Sequence, residues 1–242
     1  MLTRSQGFKL IMGFLVAFLV AQIIGYLVAS SVTRAVRHET LTHFIHHHFE
    51  HPWWLTASEM LGLWIGFAIF IRITLATVRP TRASNFFHVR WSDTKFLAFG
   101  VALQVAVGII YFPFHLKSEG NPVKQLVGHN STFGMVMLLL LVGLGAPIME
   151  ELLFRGVLLP ATNGVLSEKL RLIAGGVIPA LLTGLIFGAA HGELVQFAGL
   201  AIVGTVQAIL VQRTGRIAPA ILSHAGFNLI ALSVAWLSVL VK

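Results

Sequence analysis

Seven long apolar runs, separated by short polar stretches, make up most of the chain. They cover residues 8–32, 53–78, 96–114, 133 to about 160, 176–190, 194–211 and 217–241. Each supplies most or all of the about 20 residues that a tilted helix needs to cross a bilayer. The pattern predicts an all-α, multi-pass transmembrane helical bundle of about seven spanning helices, with six to eight as the range. The first run begins beside Arg4 and Lys9 and is longer than the about 7–15 apolar residues of a signal peptide. It reads as an uncleaved span, with cleavage near Ala29-Ser30-Ser31 as the lesser alternative. No internal repeat or low-complexity linker divides the chain, so one membrane domain is the simplest count.

Composition agrees with the pattern. Of 242 residues, 56% are hydrophobic and 11% charged, against about 25% charged in a soluble domain. The net charge of +8 is spread over the loops between apolar runs rather than along one stripe. That distribution suits a lipid bilayer with anionic headgroups and gives no reason to expect nucleic acid. With no cysteine, disulfides, thiolate zinc sites and a cysteine nucleophile are excluded. Arg79, Arg82, Arg90 and Lys95 follow the second run with only Asp93 against them, which predicts a cytoplasmic loop. The N-terminus, the Glu168/Lys169/Arg171 loop and the Arg213/Arg216 turn then also fall inside. The histidine-rich loop, the Lys117–His129 loop and the C-terminus fall outside. Arg34 and Arg37, on the outer side, run against this orientation. Phe86, Phe87, Val89 and Trp91, interleaved with Arg82 and Arg90, suggest a piece lying on the inner leaflet.

The chemistry concentrates in Gly145-Ala146-Pro147-Ile148-Met149-Glu150-Glu151-Leu152-Leu153-Phe154-Arg155-Gly156. Ionisable groups at membrane depth are expensive and point to function. On a helix, Glu151 and Arg155 share one face and neutralise each other. Glu150 points about 100° away and has Phe154, not a cation, at i+4. A structural ion pair thus accounts for Glu151 and leaves Glu150 free. His191 closes the fifth run, and His224 and Asn228 lie one turn apart in the seventh. A carboxylate, two imidazoles and a carboxamide are the parts that activate a water and stabilise an oxyanion. Gly184, Gly188, Ala189, Ala190 and Gly226 allow the close helix approach that would gather them. By helical rise they meet at one depth only if the fourth helix continues well past Glu150 and Leu170–Gly175 is cytoplasmic rather than spanning.

Three motifs in order, Glu150-Glu151-x-x-x-Arg155, Phe187-x-x-x-His191 and His224-x-x-x-Asn228, resemble those of the CPBP family of intramembrane proteases, also called the Abi or type II CAAX prenyl protease family. Ala146-Pro147 and Phe154-Arg155-Gly156 agree as flanks, and the likeness covers about residues 131–241. The resemblance implies an intramembrane endopeptidase acting on a peptide or protein substrate, including membrane-anchored ones. It divides the chain into an N-terminal three-helix membrane region (residues 1–130) with the histidine-rich outer loop and a catalytic membrane core (residues 131–242). It implies Glu150 as general base, His191 as a holder of the attacking water, and His224 with Asn228 facing the carbonyl oxygen. Glu151 with Arg155 would orient Glu150. No cofactor is favoured. Zinc on Glu150, His191 and His224 is the open alternative, although no His-Glu-x-x-His motif is present. The expected location is the plasma (bacterial inner) membrane, N-terminus in the cytoplasm.

Two other function classes compete. One is a non-enzymatic immunity or scaffold protein of the same fold. The other is a proton-coupled transporter, for which buried Glu and His also serve, though inverted repeats are not seen. The histidines from His38 to His51 include pairs four apart, but a short amphipathic stretch is the simpler reading than a metal site. Glu193 is read as interfacial. Glu59 and Arg72 are expected to reach toward opposite membrane faces.

Overall fold

The computed structural model describes residues 2–47, 52–77, 85–114, 126–127, 130–166 and 176–241. Expectations resting on Arg79, Arg82, Lys117, Glu168, Lys169, Arg171, on the side chain of His47 and on residues 48–51 fall outside them. Among the described residues there are eight helices and no strand. They are α1 (Arg4–Arg37), the short α2 (Leu41–His47), α3 (Trp53–Thr77), α4 (Lys95–Tyr111), α5 (Thr132–Val165), α6 (Val177–Ala190), α7 (Phe197–Thr214) and α8 (Ala218–Leu240). Six are long and apolar enough to cross a bilayer, and α6 is a shorter apolar helix. The chain is an integral, multi-pass membrane protein.

Local chemistry sets the helix ends. Thr3 opens α1 with a capping box: its hydroxyl accepts from the Gln6 N–H, and the Gln6 side chain accepts from the Thr3 N–H. Arg34 and Arg37 occupy the last turn of α1, where unpaired carbonyls favour cations, and Arg37 lies over the Phe44 ring of α2 at 5.4 Å. These contacts explain why two arginines sit at that end of α1. Leu41 and Phe44 are buried with Ala29 and Leu55, so α2 is amphipathic, with His43 and His46 on its exposed side. Arg72 is exposed and Glu59 partly buried on α3.

Helix α5 is wound unevenly, for a covalent reason. Proline has no N–H, and its ring clashes with the carbonyl four residues back. Widened π turns at Leu139–Gly145 and Phe154–Leu158 come immediately before the segments that begin Ala146-Pro147 and Leu159-Pro160. The extra residue in each turn moves the chain past the ring, so α5 passes Pro160 and runs on to Val165. Between the two wide turns lies Ala146–Leu153, the segment with both glutamates.

Small residues set the helix crossings. A Cβ added to Gly62 would lie 2.6 Å from the Gly25 Cα, which locks α3 to α1. On α6, Gly184 and Gly188 lie against Ala201, Thr205 and the Phe197 carbonyl of α7. On α4 and α8, a Cβ on Gly100 would meet the Ser223 carbonyl at 1.9 Å, and one on Gly226 the Leu97 carbonyl at 2.1 Å. Backbone cannot yield as a side chain can, so Gly226→Ala should destabilise by about 1–3 kcal/mol through overpacking. A lowered Tm in detergent would register it, and an unchanged Tm would contradict the crossing.

The helix ends are not level. The site described below brings Glu150, His191 and His224 together. By helical rise, Glu150 lies about 22 Å from the Val165 end of α5, His191 about 21 Å from the start of α6, and His224 only about 9 Å from the start of α8. The α7–α8 turn is therefore recessed by about 12 Å. The segment before α4 covers the recess. Phe86 is buried against Leu159, Ala180 and Ile217, and its carbonyl accepts from the Ile217 N–H at 2.9 Å. Asp93 and Arg216, both buried, form a two-pronged ion pair, with one hydrogen bond of 2.8 Å. Phe87, Val89 and Trp91 do project outward, as expected of an interfacial piece, but Phe86 turns inward to the core.

Candidate active site

Glu150 and Glu151 are adjacent on α5 and face different neighbours. The fully buried Glu151 accepts from Arg155 Nη1 and from His224 Nδ1, both at 3.0 Å. Arg155 is 1% exposed. Its Nη2 donates to the Gly204 carbonyl at 2.7 Å and to Gln207 Oε1 at 3.2 Å, and its guanidinium lies over the Phe187 ring at 4.9 Å. A buried charge survives only when paired and hydrogen-bonded, and this one bridges α5 to α7 and, through Glu151, to α8.

Glu150 Oε2 lies 3.9 Å from His191 Nε2 and 3.8 Å from His224 Nε2. These gaps exceed a direct hydrogen bond. Tautomers follow from the other ring nitrogens. His191 Nδ1 is 2.8 Å from the Phe187 carbonyl; a carbonyl only accepts, so Nδ1 carries the proton. His224 Nδ1 faces Glu151 Oε1, an oxygen that also accepts from Arg155, so it too is the donor. When neutral, both rings present an Nε2 lone pair toward a carboxylate oxygen that is buried and makes no hydrogen bond of its own. Three acceptors then converge, and a water among them satisfies two with its hydrogens. His224 becomes a donor at Nε2 only as imidazolium. The Phe187 ring packs against both imidazoles, with centroids 4.8 and 5.5 Å away. Glu150 and His191 side chains keep 23% and 32% exposure, so the cluster is not sealed within the helices.

Asn228 is held elsewhere, and the wide turn of α5 explains it. In the first π turn the Ala146 N–H bonds to the Leu141 carbonyl, five residues back. The same step from Val142 lands on Pro147, which has no N–H. The Asn228 amide nitrogen supplies the missing hydrogen to the Val142 carbonyl at 2.9 Å. Asn228→Leu should therefore cost about 1 kcal/mol. In a Pro147→Ala background, which restores the backbone donor, the cost should shrink. Equal thermal shifts in both backgrounds would contradict this account.

The structure thus joins Glu150, His191 and His224, backs them with Glu151 and Arg155, and ties Asn228 to the helix that carries the acids. Glu193 is exposed. Gln207, fully buried and bonded to Arg155, was not singled out from sequence. Its signal was there: a carboxamide in the middle of an apolar helix, on the same face as Gly204 and Ala208. Among the described residues no group of three or more His, Asp or Glu side chains is arranged to hold a metal ion.

Residues 132–230 match the family model described as Type II CAAX prenyl endopeptidase Rce1-like. Over these residues the chain resembles the Rce1-like family. The Rce1-like region starts at the first residue of α5 and contains Glu150, Glu151, Arg155, His191, His224 and Asn228. No curated protein and no solved structure matches the chain.

Proposed function

We propose that the protein is an intramembrane endopeptidase that hydrolyses a peptide bond with a water activated by Glu150. The observation that carries this reading is one buried carboxylate oxygen facing two imidazole Nε2 atoms at 3.8 and 3.9 Å. A water between them donates one hydrogen to Glu150 and the other to His191, leaving an oxygen lone pair for the scissile carbonyl. Glu150 takes the proton as the tetrahedral intermediate forms. His224 as imidazolium, backed by Glu151, stabilises the oxyanion, and Asn228, one turn along α8, adds its second amide hydrogen. Glu150 then returns the proton to the leaving amine.

A metal-free reaction is favoured by the spacing. A tetrahedral zinc at its usual ligand distances holds donors about 3.3–3.5 Å apart, and the pairs here are wider. The substrate is a peptide or protein, the membrane-anchored prenylated class first by family. We place the N-terminus in the cytoplasm and the protein in the plasma (bacterial inner) membrane, on the basic balance after the second span. Residues 131–242 form the catalytic core and residues 1–130 its three-helix support.

The test is hydrolysis of an internally quenched prenylated peptide by purified protein in liposomes, with wild type and Glu150→Gln compared. Activity in wild type alone supports the proposal; equal activity in both overturns it. Chelator treatment followed by desalting should leave the wild-type rate within about twofold, since no step draws on a Lewis acid. Loss of rate restored by added zinc would instead assign Glu150, His191 and His224 to a metal.

A further inference from the structure

The hydrogen-bond chain behind His224 does not stop at Arg155. Gln207 of α7 is 0% exposed, and its Oε1 accepts from Arg155 Nη2 at 3.2 Å. The Gly204 carbonyl takes the same nitrogen at 2.7 Å. Gly204 and Gln207 lie one turn apart on the same face of α7. The same helix packs tightly on α6 where Gly184 and Gly204 meet, an added Cβ on Gly204 reaching the Gly184 Cα at 3.0 Å. Arg155 Nη1 in turn donates to Glu151 Oε1, which accepts from His224 Nδ1. The last link faces Glu150.

We propose that Gln207 is a positioning residue for the hydrolytic site, fixing Arg155 so that Glu151 presents one oxygen to His224 Nδ1. The proposal rests on the Glu150 reading above. A packing role would not need an amide: Gln207 Nε2 is buried with no hydrogen-bond partner among the described residues, so the carboxamide is costly in an apolar helix. What it supplies is the Oε1 acceptor. Without it the guanidinium keeps one acceptor on α7 and can turn about Gly204, carrying Glu151 with it. The effect falls on His224 orientation, hence on kcat rather than on substrate affinity.

Two variants separate the acceptor from the shape. Gln207→Met keeps the volume and removes both polar atoms; Gln207→Glu keeps an acceptor oxygen. With the quenched prenylated peptide, Gln207→Met should lower kcat about tenfold with KM within about twofold, the size of one lost bond to a charged group. Its Tm should not fall, and Gln207→Glu should recover most of kcat. A readout without substrate is the proton resonance of the His224 Nδ1–H, assigned by its disappearance in His224→Gln. It should shift in Gln207→Met and return toward wild type in Gln207→Glu. If Glu150→Gln is inactive but Gln207→Met matches wild type in kcat and resonance, the Gln207 role is wrong and the Glu150 reading stands. If Gln207→Met loses kcat in step with Tm, or Gln207→Glu fails to recover either signal, Gln207 is only structural. Activity in Glu150→Gln overturns both.

Discussion

Glu150→Gln is expected to lower peptide hydrolysis about a thousandfold, within the range for loss of a positioned general base, while the protein stays folded. The substitution keeps the shape of a partly exposed side chain. Among the described residues Glu150 has neither a salt-bridging Arg nor a capping role; two imidazoles lie near it at 3.8 and 3.9 Å. Gln at this position cannot accept a proton from water, and its amide hydrogens compete with water for the His191 Nε2 lone pair. Rates with one quenched peptide, together with the melting curve, check the expectation. A variant that keeps more than about a tenth of the wild-type rate would remove Glu150 from the base role.

Arg155→Met is expected to do the opposite: to strike stability before chemistry. It leaves the Glu151 carboxylate fully buried without its cation, a change that costs about 3–5 kcal/mol when one member of a buried pair is removed. It also strips donors from the Gly204 carbonyl and Gln207. Pairing it with Glu151→Gln should return much of the loss, because the isolated charge is gone. Chemical denaturation of the three variants measures the coupling directly. Activity should not return in the pair, since His224 would then face a neutral amide. Additive stability losses would show that the two side chains do not depend on each other.

Much of this was legible in the chain. The apolar runs placed the spans, and i,i+4 spacing alone put Arg155 on Glu151. The two histidines were recognisable because a titratable side chain in a greasy helix has few idle uses. What was hidden depended on winding and on contacts distant in sequence. Pro160 looked like the end of the fourth helix, but a wide turn just before it carries the helix to Val165, which lets Glu150 reach the depth of His191. Asn228 has a backbone task that follows only once Val142 is known to have lost its partner to Pro147. Phe86 reads as one more interfacial aromatic until the recess beneath the α7–α8 turn is seen. Asp93 and Arg216 are 123 positions apart, and no local pattern joins them.

Helix α6 has only 14 residues, about 21 Å of helix, where the hydrocarbon layer is about 30 Å thick. His191 sits at its tip, with Leu194 and Val195 turned outward just beyond. Acyl chains alongside must shorten or tilt to meet that edge, so the protein carries its own dent in the surrounding leaflet. Water would have less oil to cross beside so short a helix than through a leaflet of full thickness, and a lipid with longer tails would deepen the barrier.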